Sequence, residues 1–169
     1  MSRREISIAD LSLAPFGAWD KKWFLLAAGE NRPGGFNAMT VSWGGLGWLW
    51  GRPLAMVVVR PTRFTFEFME KYETFTLSAF DEKYRAVLQM LGQKSGRDSE
   101  KIAESGLTAV ASLKAGCPGF AEAEIILECR KTYWHDLDPK HFIAEYIEAN
   151  YRNDYHRVYF GEVLAVTKK

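Results

Sequence analysis

Hydrophobic and polar positions along the chain favour strands over helices. Trp23-Phe-Leu-Leu-Ala-Ala28 is an unbroken apolar run closed by Gly29, and predicts a short buried strand. The turn residues Asn31-Arg-Pro-Gly-Gly35 lead into a second predicted strand over Phe36 to Trp43. Alternation there puts Ala38, Thr40 and Ser42 on one face and Asn37, Met39, Val41 and Trp43 on the other. Leu54 to Val59 is apolar throughout, which predicts a strand covered on both faces. Thr74 to Ala79 alternates as a further strand. Phe120 to Trp134 is the clearest case: Ala121, Ala123, Ile125, Leu127 and Cys129 are expected in the core, with Glu122, Glu124, Ile126, Glu128 and Arg130 on a mostly wet face. His156 to Val166 predicts the last strand.

Helical periodicity is confined to shorter pieces. Thr62 is placed to cap a helix over Phe64 to Tyr72, whose positive end would lie beside Arg60 and Arg63. Glu82 to Leu91 carries Tyr84, Val87, Leu88 and Leu91 on one stripe, read as core. A short helix is expected from Ser99 to Glu104, and Asp138-Pro139 marks a helix start for the segment with Phe142, Ile143, Tyr146 and Ile147. Residues Met1 to Lys22, broken by Pro15 and Gly17, predict an arm with little regular structure. The sum is a mostly antiparallel barrel with peripheral helices, a single domain over 23–169 behind an arm at 1–22.

Bulk composition narrows this picture. A length of 169 residues with 47% hydrophobic content suits one well-buried core. Twenty-two basic and 21 acidic residues leave a net charge of +1, without the basic excess expected of a nucleic-acid binder. No apolar run follows Arg3 and Arg4, so no secretory signal is read. The uncharged stretch from Pro33 to Gly51 holds Asn37, Thr40, Ser42 and six glycines, which argues against a membrane span. A cytoplasmic protein is expected, with Cys117 and Cys129 as reduced structural thiols. His135, His141 and His156 lack zinc-helix spacing, so no metal is expected. There is no G-x-S-x-G nucleophile frame and no G-x-G-x-x-G nucleotide fingerprint, since tryptophan follows Gly45-Leu-Gly47 where the third glycine belongs.

Candidate chemistry concentrates between Pro33 and Thr65. Gly44, Gly45, Gly47 and Gly51 interleave with Trp43, Trp48 and Trp50, setting flat aromatic faces beside approachable backbone. Arg60, Thr62, Arg63 and Thr65 then follow an apolar strand directly, and guanidinium forks with hydroxyls suit phosphate oxygens. Lys94, Ser95, Gly96 and Arg97 form a glycine-bent loop before a helix, a second set of anion donors that does not match a P-loop. A ring with a phosphate tail is the ligand these residue types suit together. Read singly, the tryptophans are core filler, the arginines solvated and the Lys94 loop a polar turn.

Asn37-Ala-Met-Thr-Val-Ser-Trp43, Arg60-Pro-Thr-Arg63 and Lys94-Ser-Gly-Arg-Asp98, in that order, resemble the flavin reductase-like proteins of the FMN-binding split β-barrel, in particular the flavoredoxin-like branch. The likeness runs from about Trp23 to Val166. It implies non-covalently held FMN, with its ring against Asn37, Met39, Thr40, Val41, Ser42 and Trp43. The phosphate would lie at Arg60, Pro61, Thr62, Arg63 and Thr65, with Lys94, Ser95, Gly96 and Arg97. The resemblance also implies a homodimer, a histidine near the cofactor at His156, and NAD(P)H passing a hydride to the flavin. Electrons would go on to free flavin, a partner oxygenase or a redox protein. Two other readings stay open: an FMN electron carrier with no pyridine nucleotide site, and a ligand-binding module with no redox role. His156 is read equally as a cofactor-edge group and as a rim histidine bonded to Asp154 or to backbone.

Overall fold

The computed structural model describes residues 3–169. The apolar run after Trp23 becomes β2 (Phe24–Gly29), buried along its whole length because its two faces enter two different cores. Phe24, Leu26 and Ala28 point into one with Met39, Val57, Phe75 and Leu127, while Leu25 and Ala27 point into another with Phe80, Leu88, Leu91 and Phe120. The first core fills a barrel. The second lies between the sheet and α2 (Arg85–Gln93), where the predicted stripe buries Leu88 and Leu91, with Tyr84 and Val87 partly covered. Glu82–Tyr84 ahead of it is a separate 3-10 turn capped by Asp81.

The remaining strands are β1 (Arg4–Ile6), β3 (Phe36–Val41), β4 (Gly44–Leu49), β5 (Arg52–Val59), β6 (Thr74–Ala79), the short pair β7 (Ala109–Val110) and β8 (Gly119–Phe120), β9 (Ile125–Asp136) and β10 (Arg157–Lys168). One antiparallel sheet runs β3-β2-β6-β9-β10-β5-β4, with β1 added alongside β10. Register shifts at Phe160/Gly161 and Val163/Ala165 on β10 are the bulges by which its twelve residues curl. This is the mainly β, peripherally helical barrel expected from the sequence.

Several local expectations are corrected. The arm is more regular than expected in three places: β1 pairs Arg4 with Lys168 and Ile6 with Val166, Ile8–Asp10 is a 3-10 turn, and Ala18–Lys22 is a single π-helical turn that buries Trp19, while 11–16 carry neither helix nor strand. Arg3 adds a bond to the Ala121 carbonyl at 3.3 Å and one to the Thr167 carbonyl at 3.4 Å. The Gly/Trp segment is a hairpin strand rather than a loop, because β4 pairs with β5 through a two-residue turn at Trp50 and Gly51, both at positive φ. Gly44 is needed there: a Cβ would stand 2.4 Å from the Met56 carbonyl and 2.4 Å from the Trp19 ring.

The long alternating segment is split. Gly119–Phe120 pairs with β7, and β9 starts only at Ile125. Its second face is covered as well: Ile126 is in the outer core, and the buried Glu128 accepts the backbone N–H groups of Leu113, Lys114 and Ala115. After Asp138, whose side chain caps Pro139–His141, the chain makes a second 3-10 stretch at Glu145–Asn150 instead of one α-helix. Two of the four apolar residues read onto that helix bury little: Ile143 is 97% and Tyr146 77% exposed.

Candidate functional site

Antiparallel pairing of β5 with β10 matches Val59 to Arg157, which brings the next residue on one strand beside the preceding residue on the other. Arg60 and His156 therefore meet at one end of the barrel. The edge of β3 supplies Met39, Thr40 and Val41 to the same place, and Ser42 and Trp43 follow on the way into β4. With Val58 these residues line a cleft of about 140 Å³. His156 is 8% exposed, its Nδ1 lies 3.0 Å from the Tyr151 hydroxyl, and the Trp43 and His156 rings are 5.1 Å apart. Burial first, and the Arg60 charge second, lower its pKa to about 4. His156 is thus a neutral imidazole at pH 7.

Arg60 itself is held. It forms an ion pair with Asp154, donates to the Asn150 carbonyl at 2.8 Å and lies over the Tyr151 ring. Tyr151 in turn stacks on Phe142 and touches Tyr155. Among the described residues the His156 ring bonds neither to Asp154 nor to backbone; its partner is Tyr151.

A second, smaller cleft of about 70 Å³ opens where α1 (Phe64–Lys71) begins. Thr62, Arg63, Phe64 and Thr65 form one wall, Gln93 at the end of α2 with Lys94 and Ser95 another, and Lys101 of α3 (Lys101–Glu104) the floor. Lys101 is 2% exposed, and its Nζ donates to the Leu91 and Lys94 carbonyls, each at 3.0 Å. Arg63 donates to the Gly92 carbonyl. Two cations thus meet the carbonyl end of α2, where the helix dipole favours positive charge. Burial first, then Arg63, bring the Lys101 pKa down to about 8, and burial lowers that of Arg63. Arg63, not Thr62, occupies the N-cap position of α1, and no side chain caps it. The N–H groups of Phe64 and Thr65 have no acceptor among the described residues.

Asn37, on β3 two residues before Met39 of the first cleft, is bonded to Thr65 in the wall of the second. It is 3% exposed and donates from Nδ2 to Thr65 Oγ1 at 2.7 Å. Gly96 rests on it so closely that a Cβ would be 2.4 Å from Asn37 Oδ1.

The flavin reductase like domain family matches residues 22–167. The chain belongs to the flavin reductase-like family. Among solved structures it is similar to an FMN-binding domain of a flavin reductases-like enzyme from Shewanella baltica, at TM-score 0.70 and 18% identity, covering 99% of this chain and 77% of that one. It is similar also to flavoredoxin of Desulfovibrio vulgaris, at TM-score 0.68 and 21% identity, covering 98% and 77%. A third is the NADH:FAD oxidoreductase SgcE6 of Streptomyces globisporus, at TM-score 0.65 and 16% identity, covering 88% and 75%. At these identities the likeness is one of fold. No curated protein matches the chain.

In this flavin reductase-like domain the residues singled out from sequence fall into two groups. Met39, Thr40, Val41, Ser42, Trp43, Arg60 and His156 share the first cleft, whereas Thr62, Arg63, Thr65, Lys94 and Ser95 share the second. The structure separates Arg60 from Arg63, which the sequence had paired on one anion. Pro61 is exposed between them. Lys94 is paired with Glu104, and Arg97 with Glu67 and the Thr62 carbonyl, so Arg97 lies outside both clefts. Lys101 was missed. A lysine between Glu100 and Glu104 reads as a solvated helix position, and nothing in the pattern marks it as buried. Val58, Phe64 and Gln93 were missed as well, the first because an all-apolar strand hides which residues face a cleft. Among the described residues no group of three or more His, Cys, Asp or Glu side chains could hold a metal, and no helix is long and apolar enough to cross a membrane.

Proposed function

We propose that the protein is an FMN-dependent NAD(P)H:flavin oxidoreductase, with the flavin ring in the Met39 to Trp43 cleft and its phosphate in the Arg63 and Lys101 cleft. One observation carries the reading: β3, whose Met39, Thr40 and Val41 line an aromatic-walled cleft, is tied by the buried Asn37 to Thr65 hydrogen bond to the wall of a cationic cleft. The donor set fits a phosphate. Lys101 uses two of its three N–H donors on carbonyls, and the first N–H groups of α1 are unpaired among the described residues. Hydroxyls of Thr62 and Ser95 stand in the same walls.

Bound FMN would supply the redox chemistry, hydride acceptance from NAD(P)H, which needs no protein acid or base. The chain's own residues bind and orient. Thr40 is fixed by its hydroxyl bond to the Leu88 carbonyl, which secures the β3 edge against α2. His156, neutral at pH 7, offers Nε2 as a hydrogen-bond partner while Tyr151 engages Nδ1. Arg60 stations Asp154 and Tyr151 behind it. Electrons pass on to free flavin, an oxygenase or a redox protein. The reading includes a cytoplasmic homodimer. The exposed Trp50 and Tyr133, with the half-buried Phe160 beside them at ring spacings of 6.2 and 5.7 Å, support a second copy as their cover.

The test is a titration of the purified protein with FMN, followed by anaerobic NADH and NADPH. FMN fluorescence is expected to quench at one equivalent per chain, and the bound flavin to bleach with a pyridine nucleotide. Bleaching by dithionite alone would leave an electron carrier. A colourless protein that takes up no FMN would end both flavin readings.

A further inference from the structure

An apolar cavity lies away from both clefts, under the segment between β1 and the Trp19 turn. It measures about 600 Å³, within the range of small-molecule pockets. Leu11 and Leu13 form its roof, Trp19 and Leu54 its floor, and Leu46 and Trp48 of β4 its side. None of its lining residues carries a charged, hydroxyl or amide side chain.

The roof is a strap fastened at both ends. On one side β1 is laddered to β10 at Arg4↔Lys168, Glu5↔Thr167 and Ile6↔Val166. On the other, Trp19 is 6% exposed, lies 4.7 Å from the Phe24 ring and sits on Gly44. A strap so pinned does not settle freely onto the barrel, and Leu11 and Leu13 remain only partly buried beneath it. Water gains little in such a space, since it needs two to four polar partners and the lining side chains offer none but indole N–H groups. Nucleotides and flavins are disfavoured too, because no cation is present to meet a phosphate. An inserted peptide would bring backbone N–H and C=O groups with few partners.

We propose that this cavity is a binding site for a neutral, apolar small molecule with one or two rings. The wall formed by Trp19 and Leu46 continues into a groove lined by Ser42 and Trp43, the residues at which the first cleft begins. A molecule bound under the strap therefore lies along the same side of the barrel as the Trp43 and His156 cleft.

The experiment uses the neutral fluorophore N-phenyl-1-naphthylamine with the full chain. Its emission is expected to rise saturably to one equivalent, with tryptophan emission falling in step as Trp19 and Trp48 transfer energy to it. The anionic 1-anilinonaphthalene-8-sulfonate should bind at least ~10-fold more weakly. Leu13→Glu and Leu46→Glu, both at incompletely buried positions, should each weaken the neutral probe at least ~10-fold and leave the thermal unfolding midpoint and FMN titration unchanged. The proposal is overturned by no saturation, equal affinity for the anionic dye, variants that bind like the parent, or variants that lose FMN to the same degree. Probe binding that disappears as protein concentration drives dimer formation also overturns it, because a second copy then fills the cavity.

Discussion

A buried lysine with one N–H donor unaccounted for has a definite signature in pH. The Lys101 pKa stands at about 8, below its ordinary value of 10.5, because burial and Arg63 disfavour the charged form. Between those two values the unfolded chain binds more protons than the folded one, so this group's contribution to stability rises with pH across that interval. Anion affinity moves the other way. FMN binding is expected to weaken above pH 8 while riboflavin binding, which lacks the phosphate, does not, as parallel fluorescence titrations would show. Lys101→Met should cost FMN about 1.5–3 kcal/mol, roughly 10- to 150-fold, and riboflavin nothing. The two arginines separate in the same assay. Arg63→Ala should weaken FMN about 10-fold or more, from loss of a charged contact. Arg60→Ala should act on the other cleft: without that charge the His156 pKa rises from about 4, a shift visible in its ring proton resonances by NMR. Sequence showed both arginines but not their parting, because the side-chain directions depend on Asp154 and Gly92, which are distant in the chain.

At the level of elements, residue period was legible and coverage was not. The alternation through Phe120 to Trp134 correctly places Leu127 and Cys129 inside, yet it cannot reveal that the loop at Leu113 to Ala115 lies over the opposite face and uses Glu128 as its acceptor. Glu128→Ala leaves those three N–H groups without their carboxylate and should cost about 3 kcal/mol, lowering the melting temperature by ~10 °C with FMN affinity intact. Glycines between tryptophans likewise suggested a loop, since they are weak strand formers. What fixes them as β4 is pairing with β5 and the Trp19 ring seated where Gly44 has no side chain. Gly44→Ala forces that ring or the Met56 carbonyl to shift, at a cost of about 1–3 kcal/mol. Tryptophan emission should move to the red as Trp19 loses its seat.

For the whole molecule, strand content and the barrel class followed from periodicity together with the family likeness. Strand order did not, because a ladder such as β1 on β10 joins residues 164 apart, a partnership no local pattern encodes. The proposed homodimer makes a prediction at this scale. Light scattering should give twice the chain mass of 19.3 kDa, and Tyr133→Glu with Trp50→Glu should return it to the monomer value. The brevity of β1 has its own consequence. Three ladder positions, reached only by closing nearly the entire chain, form the shallowest well in the sheet, so fraying begins there. Each excursion slackens the strap above the apolar cavity from one end while Trp19 keeps the other in place. The amides of Arg4 to Ile6 should then exchange with solvent ahead of those in β9, and the hatch they form would set the pace at which a greasy guest comes and goes.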